Sequence, residues 1–458
     1  MPSVGSLTAP LANRVYRRLF LAQVSALVGT GVMTVALALL AYELAGQAAG
    51  AVLGIALTLR ILAFVLISPV AGAYAHLLPR RRLLVGLDLV RAGTVLLLPL
   101  VDAVWQIYLL VFLINACSAG FTPLFQATLP DVLPNEAEYT RALSLSRLAY
   151  DLEQLLSPTL AGLLLLALSF DALFALNGVA FLISAALIRS VLLPQPAAAE
   201  RPEGVLAKVT YGMRLYLATP RLRGLLALSV AVAAAGAMVI VNTVVYVRDY
   251  LGAGETAVAV AFVAAGAGSM LAALLLPRLL DRFPERPFML AGGVIMALAM
   301  ALGIARPGFL ALRPVWFLIG AGSSLIQTPA GRLLRRSCHA EDRPGIFAAQ
   351  FALSHVAWLV TYPLAGLGGG ALGLVWTFAL LGAMVVAATT AAACLWPRED
   401  LEVLEHEHAP LEHAHLHVHD EHHRHEHEGW EGPEPHRHVP QRHRHRYVID
   451  MHHQHWPA

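Results

Sequence analysis

Long apolar stretches recur along the chain up to Trp396, and they limit the fold more than any other feature of the sequence. Hydrophobic residues make up 57% of the chain and charged residues only 14%, which is typical of proteins that cross a membrane many times. A helix needs about twenty apolar residues to span a bilayer. The sequence therefore predicts an all-α membrane protein with twelve transmembrane helices. The predicted spans are Leu19 to Leu44, Ala49 to Ala75, Leu83 to Val101, Val104 to Leu129, Leu143 to Leu168, Ala172 to Leu192, Leu222 to Val247, Ala257 to Leu280, Pro287 to Ala305, Pro314 to Ala330, Gly345 to Gly366 and Ala371 to Trp396.

A polar, proline-containing segment at 194–220 separates the sixth span from the seventh. Within it, Val205, Val209, Met213 and Tyr216 fall on one side of a helix, which predicts an amphipathic helix on the membrane surface. The predicted domains are an N-terminal six-helix half at 1–193, a cytoplasmic linker at 194–220, a C-terminal six-helix half at 221–397 and a tail at 398–458.

The two halves also share short sequence matches. Phe112-Leu113-Ile114 precedes Thr122-Pro123 in the fourth span, and Phe317-Leu318-Ile319 precedes Thr328-Pro329 in the tenth. A repeat of six helices in each half would produce such matches, and transporters built in this way bind substrate near the middle of the membrane, between the halves.

Arginine and lysine predict the orientation of the chain. Before the tail, twenty-two of them fall on the side shared by both termini, and Arg248, Arg306 and Arg313 fall on the other side. Because cytoplasmic loops carry an excess of basic residues, both termini are predicted to be cytoplasmic. The basic residues are too dispersed to indicate a nucleic-acid surface.

The C-terminal tail holds seventeen of the twenty histidines, most of them in alternating runs. Neutral imidazoles spaced in this way can place several rings on one Ni²⁺, Co²⁺, Zn²⁺ or Cu²⁺ ion. An expression tag would be a block of consecutive histidines, and a drifted low-complexity tail would not repeat the spacing in separate clusters. The Glu and Pro content predicts disorder without metal. The predicted metal ligands are His406, His408, His413, His415, His417, His419, His422, His423, His425, His427, His436, His438, His443, His445, His452, His453 and His455.

Other kinds of chemistry find no support in the sequence. Cys117, Cys338 and Cys394 form no C-x-x-C pair, so neither a disulfide framework nor a thiolate metal site is indicated. No G-x-x-x-x-G-K-[ST] motif indicates ATP binding, which leaves a proton gradient as the default energy source. No nucleophile, base and orienting residue can be placed together, so we do not expect an enzyme.

Ionisable residues inside the spans are candidates for the transport site, because charges at that depth usually face a cavity or a partner. Asp151 and Glu153 lie in the fifth span, and their i, i+2 spacing predicts that one faces the pathway and the other a neighbouring helix. Arg147, one turn before Asp151, can pair with it. The alternative is that this pair only fixes the end of the helix.

Arg60, in the middle of the second span, is a candidate partner for one of these carboxylates, and a switch in that pair would couple protons to transport. Asp88 and Arg91, spaced i, i+3, are more consistent with a local structural pair than with a substrate site. The remaining candidates could line the pathway or serve only helix packing, because single buried histidines and small polar side chains often have a packing role. The candidate pathway residues are His355, Asn115 and Gln327.

The layout and one motif resemble a known family. The segment Gly72-x-x-x-His76-x-x-Pro79-Arg80-Arg81-Arg82 resembles the loop signature of the major facilitator superfamily, with His76 and Pro79 where that signature has an acidic residue and glycine. Within the superfamily, the histidine-rich tail and the stretch Arg147-Leu148-Ala149-Tyr150-Asp151-Leu152-Glu153 are similar to the nickel-resistance permeases. The resemblance implies export of Ni²⁺, with Co²⁺ as the second candidate ion, across a bacterial inner membrane.

The predicted function is secondary active export of a divalent transition metal by alternating access and proton antiport, conferring metal resistance. The metal is both the substrate and the ligand of the tail, and no permanent cofactor is expected. The other expected partners are protons and the lipid bilayer. Two alternatives stay open: a drug or siderophore exporter of the same fold, and a membrane-anchored metal buffer or sensor.

Overall fold

The computed structural model describes residues 6–195 and 202–400, and in the tail 403–407, 412–413, 436–437, 442–449 and 456. Up to Leu395 this chain is almost entirely helical, with six long helices, one short helix and six more long helices. The helices are α1 (Arg14–Ala45), α2 (Ala49–Tyr74), α3 (Arg80–Val95), α4 (Val104–Val132), α5 (Glu136–Leu165), α6 (Phe170–Arg189), α7 (Val205–Ala218), α8 (Pro220–Val244), α9 (Glu255–Leu280), α10 (Glu285–Ile304), α11 (Phe309–Arg336), α12 (Arg343–Ala371) and α13 (Leu374–Leu395).

The predicted all-α architecture with twelve long helices is confirmed, since each predicted span overlaps one long helix, and α7 covers the predicted amphipathic segment. The prediction was wrong about the end of the third helix. Helix α3 ends at Val95, and a 3₁₀ turn at Leu98–Leu100 replaces the rest of the expected span. Pro99 explains the difference, because a proline has no N–H for the helical hydrogen bond and clashes with the preceding turn.

Ten segments of the described chain are long and apolar enough to cross a membrane. The first of them, Arg14–Tyr74, contains both α1 and α2. Helix α5 is not among the ten, because its charged and polar side chains lower its mean hydropathy. A helix with so many polar groups needs protein contacts or a water-filled cavity around it.

Glycine permits the closest helix crossing inside the second half. At the contact between α9 and α11, a Cβ on Gly320 would lie 1.9 Å from the carbonyl oxygen of Ala265, and one on Gly268 would lie 2.0 Å from that of Phe317. Small residues are common at such crossings in membranes, because association there depends on close packing of the helices.

Asp131, at the end of α4, joins the two halves on one side of the bundle. We call this side, where α1 begins and α13 ends, the terminal face. The Asp131 carboxylate forms salt bridges with Arg80 at the start of α3 and with Arg343 at the start of α12. All three side chains are mostly buried. One carboxylate of the first half therefore pairs with an arginine of each half.

Further ion pairs across the terminal face lie beside Asp131. Arg141 of α5 is 3.2 Å from Asp281, and Arg332 of α11 is 2.7 Å from Glu136. We call Asp131, Glu136 and Asp281, with their arginine partners, the terminal lock. The lock connects helix ends of the first half to helix ends of the second half.

Helix packing closes the same side more tightly. A Cβ on Gly72 of α2 would lie 3.0 Å from the carbonyl oxygen of Pro344, and the Ser68 hydroxyl donates a hydrogen bond of 3.2 Å to the carbonyl of Ala348. These contacts bring α2 and α12 together next to the terminal lock. The two halves are thus closed at the terminal face.

Short antiparallel strands pair within the tail. The strands are β1 (Val403–Glu407), which pairs with β4 (Arg442–Arg446), and β2 (Glu412–His413), which pairs with β3 (His436–Arg437). After β4, Tyr447, Val448 and Ile449 are buried. Packing removes these three adjacent apolar side chains from water, which is favourable. The prediction that the tail is disordered without metal stays a prediction, and most of it falls on residues outside the described ones.

We expect Gly320→Val to destabilise the protein, because the new side chain must push α9 away from α11. Overpacking of this kind typically costs about 1–3 kcal/mol. The measurement is the melting temperature and the monodisperse fraction of the detergent-purified protein. Gly162→Val is the matched control, since a Cβ there meets nothing within 4 Å. Equal melting temperatures for the two variants would contradict the close crossing.

We expect Asp131→Asn to open the terminal face, because both arginines lose their shared carboxylate. Removal of one partner from a buried ion pair costs about 3–5 kcal/mol. Spin labels at the exposed positions His76 and Arg282, in a background without native cysteines, should report longer distances between the halves. Glu255→Gln, which breaks the exposed Arg248–Glu255 pair within the second half, should leave the distances unchanged. An unchanged distribution in Asp131→Asn would show that the lock does not hold the halves together.

Candidate functional site

A cavity of about 650 Å³ lies between the two halves. It is lined by α1 to α6 of the first half and by α8, α11 and α12 of the second, with Ala38 and Leu53 toward one end and Gln126 and Leu334 toward the other. Its walls combine aromatic and aliphatic side chains with many amides and hydroxyls. A volume in this range suits a small-molecule ligand.

The charged side chains of the cavity wall are mainly arginines. Among the described lining residues, Arg60, Arg91 and Arg147 carry positive charge, and Asp151 is the carboxylate. Each arginine comes from a different helix of the first half, namely α2, α3 and α5. The electrostatics of the site depend on how these arginines are paired.

Arg147 and Asp151 form the pair that their spacing predicts. The Arg147 Nη2 atom lies 3.0 Å from Asp151 Oδ1. Ser269 of α9 joins them from the other half: its hydroxyl donates to Asp151 Oδ2 over 2.7 Å and accepts from Arg147 Nε over 3.0 Å. The arrangement links α5 to α9 through charge-assisted hydrogen bonds. Sequence reasoning missed Ser269, because nothing in a single sequence pairs a serine with a distant carboxylate.

Glu153 points away from the cavity, as the i, i+2 spacing allows. It is absent from the cavity wall, its Oε1 atom accepts a hydrogen bond of 3.4 Å from the Ser157 hydroxyl, and it lies against Gly31 of α1. Asp151 therefore faces the cavity, and Glu153 packs between helices of the first half.

Arg60 lines the cavity without a carboxylate partner. No acidic side chain in the described chain lies within salt-bridge distance of it, so the predicted pair with Asp151 or Glu153 is not formed. Asp151 is already paired with Arg147, and Glu153 accepts a hydrogen bond from Ser157. Glu153 is still near enough to attract Arg60 electrostatically. The guanidinium instead lies 5.5 Å from the centre of the Phe64 ring.

Asp88 and Arg91 form a buried pair within α3, as their spacing predicts. Ser184 of α6 donates a hydrogen bond of 2.7 Å to the second Asp88 oxygen. The Arg91 guanidinium lies over the rings of Phe121 and Phe181, at 4.1 and 4.5 Å from their centres. One face of Arg91 still reaches the cavity.

The three predicted pathway residues all lie at the cavity wall. The Nδ1 atom of His355 is 2.6 Å from the carbonyl oxygen of Phe351, in the same helix. Asn115 donates to the carbonyl of Val111 over 2.7 Å, and Gln327 donates to the hydroxyl of Ser323 over 2.6 Å. Each therefore has one polar atom occupied by its own helix, and the amide oxygens of Asn115 and Gln327 are acceptors on the wall.

The described residues contain no group of three or more His, Cys, Asp or Glu side chains placed to hold a metal ion. Five of the predicted tail ligands lie on described strands. The register places His406 opposite His443 and His413 opposite His436, and His445 opposite Leu404. The other tail histidines lie outside the described residues: His408, His415, His417, His419, His422, His423, His425, His427, His438, His452, His453 and His455.

Arg221, at the start of α8, fixes the beginning of the tail to the terminal face. Its guanidinium lies 3.0 Å from Asp400 Oδ1. Asp400 also forms a salt bridge with Arg336 of α11 and accepts a hydrogen bond of 2.8 Å from the Trp396 indole. The chain that follows α13 therefore packs against the second half.

The same arginine holds the far end of the tail. Arg221 Nη2 donates a hydrogen bond of 3.4 Å to the carbonyl of Tyr447, and its guanidinium lies 4.8 Å from the Trp456 ring. Tyr447 and Trp456 contact edge to face at 5.2 Å, and Tyr447 and Ile449 join the hydrophobic core of the second half. The apolar triplet Tyr447-Val448-Ile449 in a polar tail was the sequence signal for this contact.

Comparisons with known proteins agree with this architecture. Residues 5–330 match the family model described as transmembrane secretion effector. The chain is 24% identical, over 68% of its length and 75% of the relative's, to the uncharacterized MFS-type transporter YfiS of Bacillus subtilis (strain 168).

Two solved structures show the same fold. The human organic anion transporter MFSD10 (TETRAN) superposes with a TM-score of 0.68 at 12% identity, over 83% of this chain and 99% of that one. A bacterial homologue of the iron transporter ferroportin, in an outward-facing state with soaked iron, superposes with a TM-score of 0.68 at 15% identity. That match covers 83% of this chain and 98% of the homologue. The predicted superfamily is confirmed, and the narrower likeness to nickel permeases stays a prediction. The chain therefore belongs to the transmembrane secretion effector family of major facilitator transporters.

Proposed function

We propose that the protein exports a divalent transition metal, Ni²⁺ with Co²⁺ as the second candidate, by alternating access and proton antiport. The observation that carries the proposal is the position of the tail. Its two described ends meet at Arg221, so a segment rich in imidazoles is attached to the terminal face of a transporter. Imidazole is a common ligand of these ions, and the tail can collect them where they would enter.

The excess of arginine at the terminal face supports a cytoplasmic tail and an export direction. With that orientation, the terminal lock closes the cytoplasmic side, and the cavity belongs to an outward-facing state. In the export cycle, the lock opens, metal passes from the tail into the cavity, and the lock closes before release. The ferroportin homologue with soaked iron shows that this fold occurs in a protein related to metal transport.

Asp151 is the proposed proton-coupling residue. Its carboxylate faces the cavity and connects α5 to Ser269 in the other half. Protonation from outside would remove the charge that attracts Arg147 and weaken the contact between the halves. Loss of that contact favours the reorientation that alternating access requires.

A second candidate function is export of an organic anion. The arginines of the cavity wall favour it, and the organic anion transporter MFSD10 has the same fold. The tail would then be an accessory. A third alternative, a metal buffer or sensor, needs the tail alone.

We expect everted membrane vesicles that contain the protein to accumulate ⁶³Ni²⁺ when a proton gradient is imposed. Asp151→Asn should lower the gradient-dependent rate about tenfold or more, because an amide neither titrates nor pairs with Arg147 in the same way. Glu43→Gln, at the exposed outer end of α1, is the matched control and should keep the wild-type rate. Full gradient-dependent uptake by Asp151→Asn would exclude this residue from coupling.

Replacement of the seventeen tail histidines by glutamine should separate export from buffering. This variant keeps Asp400, Tyr447 and Trp456, so the tail can still dock on Arg221. We expect a higher KM for nickel with a similar maximal rate, because the cavity is intact and only capture is impaired. Complete loss of uptake would favour the buffer, and uptake of organic anions with no metal would favour the second candidate.

A further inference from the structure

We propose that the cavity accepts the exported metal as a complex with a small, carboxylate-rich organic ligand, and that Arg60 binds a carboxylate of that ligand. The inference rests on the proposed function and specifies its substrate class. Charge balance, metal ligands and the size of the cavity support it independently.

The charge balance of the wall favours an anion. Arg147 is neutralised by Asp151 and Arg91 by Asp88, whereas Arg60 has no salt bridge in the described chain. Glu153 is near enough to attract Arg60 electrostatically, but it does not line the cavity. The space in front of Arg60 is therefore positive, and a bare divalent cation would be repelled there.

Among the described residues of the wall, no carboxylate oxygen is free to bind a bare ion, and the free acceptors are neutral, such as the amide oxygens of Asn115 and Gln327. Both Asp151 oxygens are occupied, by Arg147 and Ser269, and one ring nitrogen of His355 is held by a backbone carbonyl. A transition-metal ion that loses its water needs several N, O or S ligands at once. A chelated ion brings its own ligands into the cavity and requires none from the wall.

The cavity has the volume and chemistry of a small-molecule site. About 650 Å³ is far larger than one ion needs and falls in the range of organic ligands. Phe64 and Phe351 form an apolar wall beside Arg60, and Gln350 is within the same region. A guanidinium next to an aromatic ring binds carboxylates through two parallel hydrogen bonds, which a lysine cannot reproduce.

The test uses the full chain in proteoliposomes with ⁶³Ni²⁺ and ¹⁴C-citrate as the probe ligand. We expect nickel uptake to rise about tenfold when citrate is present in excess, and the two labels to accumulate together. Arg60→Gln should lower the citrate-dependent rate of nickel uptake about tenfold, and Arg60→Lys should retain only part of the wild-type rate. Arg313→Gln is the matched control, because Arg313 lies 5.6 Å from the Phe309 ring, four residues away, and does not line the cavity.

Each of the following outcomes would contradict the inference, and each can be distinguished from the others. Equal nickel uptake with and without citrate, with no ¹⁴C accumulation, would mean that the bare ion is carried and would leave the proposed export of metal intact. Citrate uptake that is independent of nickel would indicate an organic anion exporter. No uptake of either label by monodisperse protein that still binds nickel would reject the proposed function together with the inference. Loss of uptake in Arg313→Gln equal to that in Arg60→Gln would reject the role of Arg60.

Discussion

The salt bridges of Asp131 decide which side of this transporter is closed. A single carboxylate at the end of α4 forms salt bridges with Arg80 in its own half and with Arg343 in the other. Asp281 and Glu136 add further pairs across the same face. The cavity, the isolation of Arg60 and the contact between Asp151 and Ser269 all belong to the arrangement that these bridges hold.

Much of the fold follows from the sequence, because the bilayer imposes a length and a composition on every spanning helix. The twelve long helices could be predicted in this way, and the period of apolar residues predicted α7. The end of α3 could not be predicted in this way, since a search for apolar stretches ignores the effect of Pro99 on backbone hydrogen bonds. The lock was also missed. His76 replaces the usual acidic residue of the loop signature, and the carboxylate that serves Arg80 comes from α4, distant in sequence.

The candidate site was predicted where residues are close in sequence and missed where they are not. Arg147 with Asp151, and Asp88 with Arg91, lie one turn apart, so helical geometry alone brings them together. Ser269 and the unpaired state of Arg60 depend on how two halves meet. The tail gave a chemical signal in its histidines, but its attachment through Arg221 required the structure.

The double attachment at Arg221 turns the tail into a closed loop. Asp400 and Tyr447 are held at one point, so the chain between them, which contains fourteen histidines, cannot move away from the transporter by more than half its contour length. Tethering of this kind gives effective concentrations in the range of about millimolar. For the proposed export of metal, an ion released by one imidazole would meet another imidazole, or the open lock, before it escaped into solution. The tail would then be a local reservoir whose supply to the transporter depends little on the free metal concentration of the cell.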